Sequence, residues 1–166
     1  MEKNLHNTKA IKKLQELTTG IKTCMLITSG KSGKHATRPM AVIDTDSQGN
    51  IWFFANIRSN KITDIEMDPQ VQLLFSHPGK DIYMDIHGRA SVIGDKQYIK
   101  DKWSPIVKAW FPEGIEDTEL CLLKIKADEV HYWDTESSKV GTMLKMAVSA
   151  VTGMKMEEGV HGELHF

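Results

Sequence analysis

The stretch ATRPMAVIDTDSQGNIWFFANIRSNK, Ala36 to Lys61, decides the fold. Thr37 to Thr45 is rich in β-branched and apolar residues, Asp46-Ser47-Gln48-Gly49 supplies turn chemistry, and Asn50 to Ala55 is an aromatic-rich run of strand character. The pattern predicts a hairpin. With its turn centred between Ser47 and Gln48, paired positions sum to about 95, which sets Arg38 opposite Ile57, give or take about two residues. Ser59 then reads as an N-cap, and Asn60 to Met67 as a short helix stopped at Asp68-Pro69, because a proline disfavours helix in the residue before it.

Such a hairpin gathers three kinds of phosphate-binding group: the Arg38 guanidinium, the Ser59 hydroxyl with the free N–H groups of a helix start, and the Lys61 ammonium. Trp52-Phe53-Phe54 just upstream adds a flat apolar surface, suited to a ligand with a phosphate at one end and a ring system at the other. On spacing alone, solvated charges and a plain cap explain the same residues slightly better, and strand aromatics are more often core.

Working outward, Thr8 to Thr18 places Ile11, Leu14 and Leu17 on one helical face, with Gly20 as a stop. Ile21 to Ser29 is an apolar strand. The glycine-rich Ser29 to Lys34 is not a P-loop: Thr28 stands where the first glycine of Gly-x-x-x-x-Gly-Lys belongs, and His35 replaces the magnesium-binding Ser or Thr. Gln70 to His77 and Ile82 to Ile93 read as strands around the turn His77 to Asp81, with Gly88 marking a bend or a close approach of backbone. Asp95 to Trp103 and Pro105 to Phe111 read as short helices. Glu119 to Lys126 is a further strand that Glu129 to Asp134 extends or follows, and Val140 to Val151 predicts a helix before a polar, glycine-bearing tail. Five or six strands with few helices between them suggest an antiparallel barrel with helices outside, in one domain spanning residues 1–166, of which 140–166 are a C-terminal helix and tail.

Net charge is -1 with a pI near 6.7, so no field of one sign attracts nucleic acid or an anionic membrane. No apolar run approaches the ~20 residues of a membrane span, and the opening MEKNLHNTKAIKK lacks the apolar core of a signal peptide, which makes a cytoplasmic location the default expectation. Cys24 and Cys121 lie in apolar runs and read as buried thiols. The seven histidines are scattered without diagnostic spacing, so no metal site is expected, and no nucleophile elbow or Cys-His pairing suggests hydrolysis.

Taken in order, Arg38-Pro39-Met40, Trp52-Phe53-Phe54, Ser59-Asn60-Lys61, Gly88-Arg89-Ala90, Trp103-Ser104-Pro105, Ala109-Trp110-Phe111-Pro112-Glu113-Gly114 and Tyr132-Trp133-Asp134 resemble the split-barrel flavin-binding proteins related to pyridoxamine 5′-phosphate oxidase, in the branch of the general stress proteins. The resemblance runs from the first helix to Asp134. It implies a mainly β fold, a six-stranded antiparallel split β-barrel with flanking helices, forming a homodimer with FMN, or FAD, at the subunit interface. Arg38, Ser59, Asn60 and Lys61 would hold the phosphate. Pro39, Met40, Ala41, Phe54 and Ala55 would line the isoalloxazine ring, Tyr83 would stand at its polar edge, and Trp110, Phe111 and Trp133 would reach across from the other subunit.

Two departures shape what is inherited. Thr135 to Lys139 replaces the oxidases' substrate-holding Arg and His, so vitamin B6 oxidation is not implied. Asn60 and Ala55 stand where the oxidases show Arg and Thr; a missing charge-assisted bond of about 1.5–3 kcal/mol weakens flavin binding by roughly tenfold to a hundredfold. A flavin-dependent oxidoreductase is the leading expectation. A flavin reservoir or sensor without turnover, and a barrel holding haem or a deazaflavin, are the alternatives.

Overall fold

The computed structural model describes residues 3–30, 33–134 and 159–166. Six strands carry the architecture: β2 (Thr23–Ser29), β3 (His35–Ala41), β5 (Asn50–Asn56), β6 (Gln70–His77), β7 (Ile82–Ile93) and β8 (Leu120–Asp134). Every pairing among them is antiparallel. Three short strands bring the described total to nine: β1 (Leu5–His6), β4 (Asp44–Thr45) and β9 (Val160–His165). β1 runs parallel to β9, which corrects the all-antiparallel expectation.

The order is β1-β9-β8-β7-β6-β2-β3, with β5 joined to the first half of β8 and to β4. β3 passes through Val42 and Ile43 straight into β4, so the sheet curls back on itself. Leu26, Met40, Phe53, Leu73, Met84, Ile86, Leu123 and Ile125 fill the interior, sealed by Leu14 and Leu17 of α1 (Asn7–Ile21) and by Ile62 and Ile65 of α2 (Asn60–Met67). Period-two alternation of these apolar residues is what points one face of each strand inward. A second cluster, Trp52, Ile99, Val107, Phe111, Leu120 and Leu122, lies under α3 (Lys96–Lys102) and a 3-10 turn at Pro105–Ala109.

Several local expectations shift. Thr37 to Thr45 is two strands, because Val42 N–H donates to Lys22 O and Ile43 N–H to Trp52 O, so the chain changes partners between them. Arg38 therefore faces Leu26, not Ile57. The hairpin survives only at Asp44↔Trp52 and Thr45↔Ile51, where the Asp46 carboxylate closes the turn by accepting from the backbone N–H of Gln48 and Asn50. α1 runs through Gly20, and Lys22 takes the left-handed conformation that ends it. The polar, glycine-bearing tail forms strand β9 from Val160 to His165, which the sequence reading did not assign; the helix expected over residues 140–151 lies outside the described residues.

Gly88 sits at a register shift between β7 and β8, where an added Cβ would stand 2.4 Å from Lys126 O. The close approach read from its sequence context is real. Both cysteines are free and buried. No helix among the described residues is long and apolar enough to cross a membrane.

Candidate functional site

α2 starts where β5 ends, and its packing against β2, with Arg38 of β3 reaching Asp64, makes a corner. Arg38 Nη1 donates to Thr28 Oγ1 at 2.8 Å, and Thr28 Oγ1 donates to Asp64 Oδ2 at 2.7 Å, while Arg38 Nη2 stands 3.6 Å from the same carboxylate oxygen. Thr28 is fully buried at the sheet end of this chain. Lys61 Nζ donates to Ser59 Oγ at 3.0 Å. Ser59 occupies the N-cap position, but its side chain makes no cap bond. Its hydroxyl donates instead to Asn56 O at 2.7 Å, which turns the oxygen's lone pairs toward Lys61.

The corner is short of negative charge. Burial first, and the neighbouring Arg38 charge second, push the Lys61 ammonium below its ordinary 10.5, with Cys121 acting weakly the other way. Among the described residues Lys61 meets no carboxylate, and Asp64 is already engaged by Thr28 and Arg38. Two cations, of which only Arg38 reaches a carboxylate, stand beside the backbone N–H groups of Asn60 and Lys61, which lack intrahelical acceptors. That donor set fits a phosphate.

In the structure Lys61 meets Ser59, and the Arg38 charge lies close enough to act on Lys61, by a route other than the expected one. The β2–β3 hairpin, not the β4–β5 hairpin, carries Arg38 there. Asn60 is exposed at the first helical position. Pro39 and Ala41 point outward from β3, Met40 inward, and Ala55 is buried with its carbonyl accepting from the Cys121 thiol at 3.4 Å. Phe54 is partly exposed and meets Trp103 edge-on at 5.8 Å. Trp52 and Phe53 are core, so the flat surface expected of that aromatic run reduces to Phe54. Thr28 and Asp64 escaped the sequence reading. Their signals were a lone hydroxyl ending an apolar strand and a carboxylate one helical turn past Asn60 and Lys61.

On the outer face of the sheet, Pro39, Met25 and Leu74 are cross-strand neighbours and all exposed. Tyr83 and Trp133 pair directly across β7 and β8, and Trp133 in turn faces His161 of β9. Trp110 projects beyond the second core at 68 % exposure, whereas Phe111 is buried within that core and does not project.

A family model described as "Pyridoxamine 5'-phosphate oxidase like" matches residues 9–157. Protein bli-3 of Neurospora crassa is 27% identical over 153 residues, covering 86% of this chain and 73% of that protein. Among solved structures, the general stress FMN/FAD binding protein of Xanthomonas citri is 31% identical with a TM-score of 0.67, covering 80% of this chain and 93% of that one. A protein from Jannaschia sp. CCS1 superposes over 96% of this chain and 100% of its own with a TM-score of 0.77, at 22% identity, which bears on the fold alone.

Proposed function

We infer a role from one premise: the chain belongs to the pyridoxamine 5'-phosphate oxidase-like family. Our reading is a flavin-binding general stress protein that uses FMN, or FAD, as an oxidoreductase cofactor. The general stress FMN/FAD binding protein of Xanthomonas citri supports it. The observation that carries it is the anion-deficient corner of Arg38, Ser59 and Lys61 beside the start of α2.

In this reading the corner holds the flavin phosphate. Pro39 to Ala41 and Phe54 to Ala55 border the ring, with Trp103 holding Phe54 in place. The flavin supplies hydride or electron chemistry when bound, and the chain positions it and excludes water. The exposed Pro39, Met25 and Leu74 face suits a second copy, so the protein acts as a homodimer. Tyr83 and Trp133, being cross-strand neighbours, serve the same cofactor together, and the exposed Trp110 reaches a partner's site while Phe111 supports it from beneath.

The test is a fluorescence titration of the stripped protein with FMN, beside the Arg38→Ala/Lys61→Ala double variant. Binding at micromolar or tighter, about -8 kcal/mol, with one flavin per chain is expected for the parent and none for the variant. Undiminished affinity in the double variant overturns the assignment. Oxidation of NAD(P)H above a free-FMN control separates an oxidoreductase from a reservoir.

A further inference from the structure

We propose that the outer face running from β3 across to β9 joins two copies of this chain, and that protonation of its histidines sets the strength, so that the dimer tightens as pH falls from 8 to 6. The proposal rests on the homodimer read above and adds its regulation. Strand register lays the face out in rows. Pro39, Met25, Leu74, Asp85, His131 and Glu163 are successive cross-strand neighbours in one row. On one side of it run Ile27, Gln72, His87 and Glu129, with His165 level with Glu129 because Val130 pairs with Leu164. On the other side Tyr83, Trp133 and His161 follow one another.

The face has two parts. Met25, Leu74, Tyr83 and Trp133 are large apolar side chains left between 38% and 47% exposed, which a second surface can cover. The remainder alternates carboxylate and imidazole. His87 Nε2 lies 3.5 Å from Asp85 Oδ1, and His165 Nε2 3.4 Å from Glu163 Oε2. His131 reaches both ways, with Nε2 2.9 Å from Glu129 Oε1 and Nδ1 3.6 Å from Glu163 Oε1. Each of the three carboxylates therefore has an imidazole beside it.

The other charges sit at the margins. Arg89 is engaged by both oxygens of Asp128, with Lys126 as its cross-strand neighbour. At the opposite end Lys13 is engaged by Asp134, and Asp81 borders Tyr83, Trp133 and His161. β2, β3 and β6 place no charged side chain in the three rows; His35 heads β3, and His6 of β1 stacks on His165 at 4.8 Å.

A two-fold interface sets a face against itself, so the face must complement its own charges. With neutral rings, Asp85, Glu129 and Glu163 meet a surface of the same sign, and covering them strips water from carboxylates that have no cation. Histidine changes charge between about pH 5 and 8. Once protonated, His87, His131 and His165 supply one positive charge for each carboxylate, and the alternating signs let one copy match another. The rings take up protons as the copies join. Each proton taken up raises the association constant by as much as about tenfold per pH unit of acidification.

Dilution of donor- and acceptor-labelled full-length chain from about 100 µM to nanomolar, at pH 8 and at pH 6, tests it, with subunit exchange read alongside. The chain is free of flavin, whose own phosphate titrates in the same range. A dimer at least about tenfold tighter at pH 6, or exchanging at least about tenfold more slowly, is expected. Glu129→Gln/Glu163→Gln should tighten the dimer at pH 8 and abolish the further gain at pH 6. His87→Asn/His131→Asn/His165→Asn, with native circular dichroism, should hold the pH 6 dimer at its pH 8 strength, while His77→Asn, outside the rows, keeps the parent's response. Equal strength and exchange rate at both pH values, or a dimer that weakens at pH 6, overturns this proposal and leaves the homodimer standing. A chain monomeric throughout overturns both and leaves the face to another occupant.

Discussion

Arg38 on β3 and Asp64 on α2 are held apart and together by one hydroxyl: Thr28 Oγ1 accepts from the guanidinium at 2.8 Å and donates to the carboxylate at 2.7 Å. The hydroxyl joins the strand to the helix. Its position on β2 explains why a helix outside the barrel and a strand at its edge keep a fixed relation.

Replacing it isolates that relation. Thr28→Val preserves shape but leaves both partners short of a bond in a buried place, so a loss of about 1–3 kcal/mol is expected. Thermal unfolding should shift down by about 2–4 °C per kcal/mol, and FMN affinity should fall as Arg38 loses its orientation.

In the proposed reading Lys61 makes flavin binding pH-dependent. Its folded value lies below 10.5, so the unfolded chain binds the proton more tightly, and the charged ammonium costs stability that is recovered as pH rises through the folded value. Lys61→Met should therefore stabilise the stripped protein at neutral pH, with the gain shrinking toward pH 10.5. A bound phosphate favours the charged form, so FMN affinity should drop as alkaline pH deprotonates Lys61, which titrations from pH 7 to 10 check.

The hairpin turn carries an acid-sensitive contact. Burial pushes the Asp46 carboxyl up, but hydrogen bonds from Asn50, Trp52 and the Gln48 backbone outweigh it and hold the group below 3.8. This stability is present above the unfolded value and is lost as pH falls through the folded one. Asp46→Asn should cost about 1–3 kcal/mol at pH 7 and flatten the acid limb of a stability profile, read by Trp52 fluorescence.

Gly88→Ala should unsettle the β7–β8 bulge, because the new methyl meets Lys126 O at 2.4 Å and backbone must move. Overpacking of this kind costs about 1–3 kcal/mol, measurable as a lower urea midpoint. Gly94→Ala, where nothing lies within 4 Å, is the control and should be near neutral.

The thiols should be silent until the protein opens. Burial pushes Cys24 up to about 12 and Cys121 to about 11, the latter opposed slightly by Lys61. An aromatic disulfide reagent at pH 8 should find no reactive thiol in the folded protein and two after denaturation.

Local signals carried much of this structure. Asp68-Pro69 ended α2 at Met67, and the turn residues after His77 divided β6 from β7, all with the bounds read from sequence. What a strand pairs with is not local. β3 joins β2 because the chain changes partners at Val42, and Pro39, which has no N–H to give a ladder, is tolerated on a strand with only one partner. Hence Arg38 comes to the start of α2 on the β2–β3 hairpin and not on the one expected. β9 was hidden for a related reason: its inward positions are Val160, Gly162 and Leu164, and the glycine that breaks the apolar alternation is needed because a Cβ there would meet Lys3 O at 2.1 Å.

The pairing of Leu5 with Leu164 and His6 with His165 also sets an order of events. Contacts so distant in sequence form only after the intervening loop has been closed at an entropic cost, and they are the slowest kind to assemble. On a growing chain, Leu5 and His6 leave the ribosome early yet stay without a strand partner until residue 165 has been made. The barrel between them can close first, leaving this edge as its final seam.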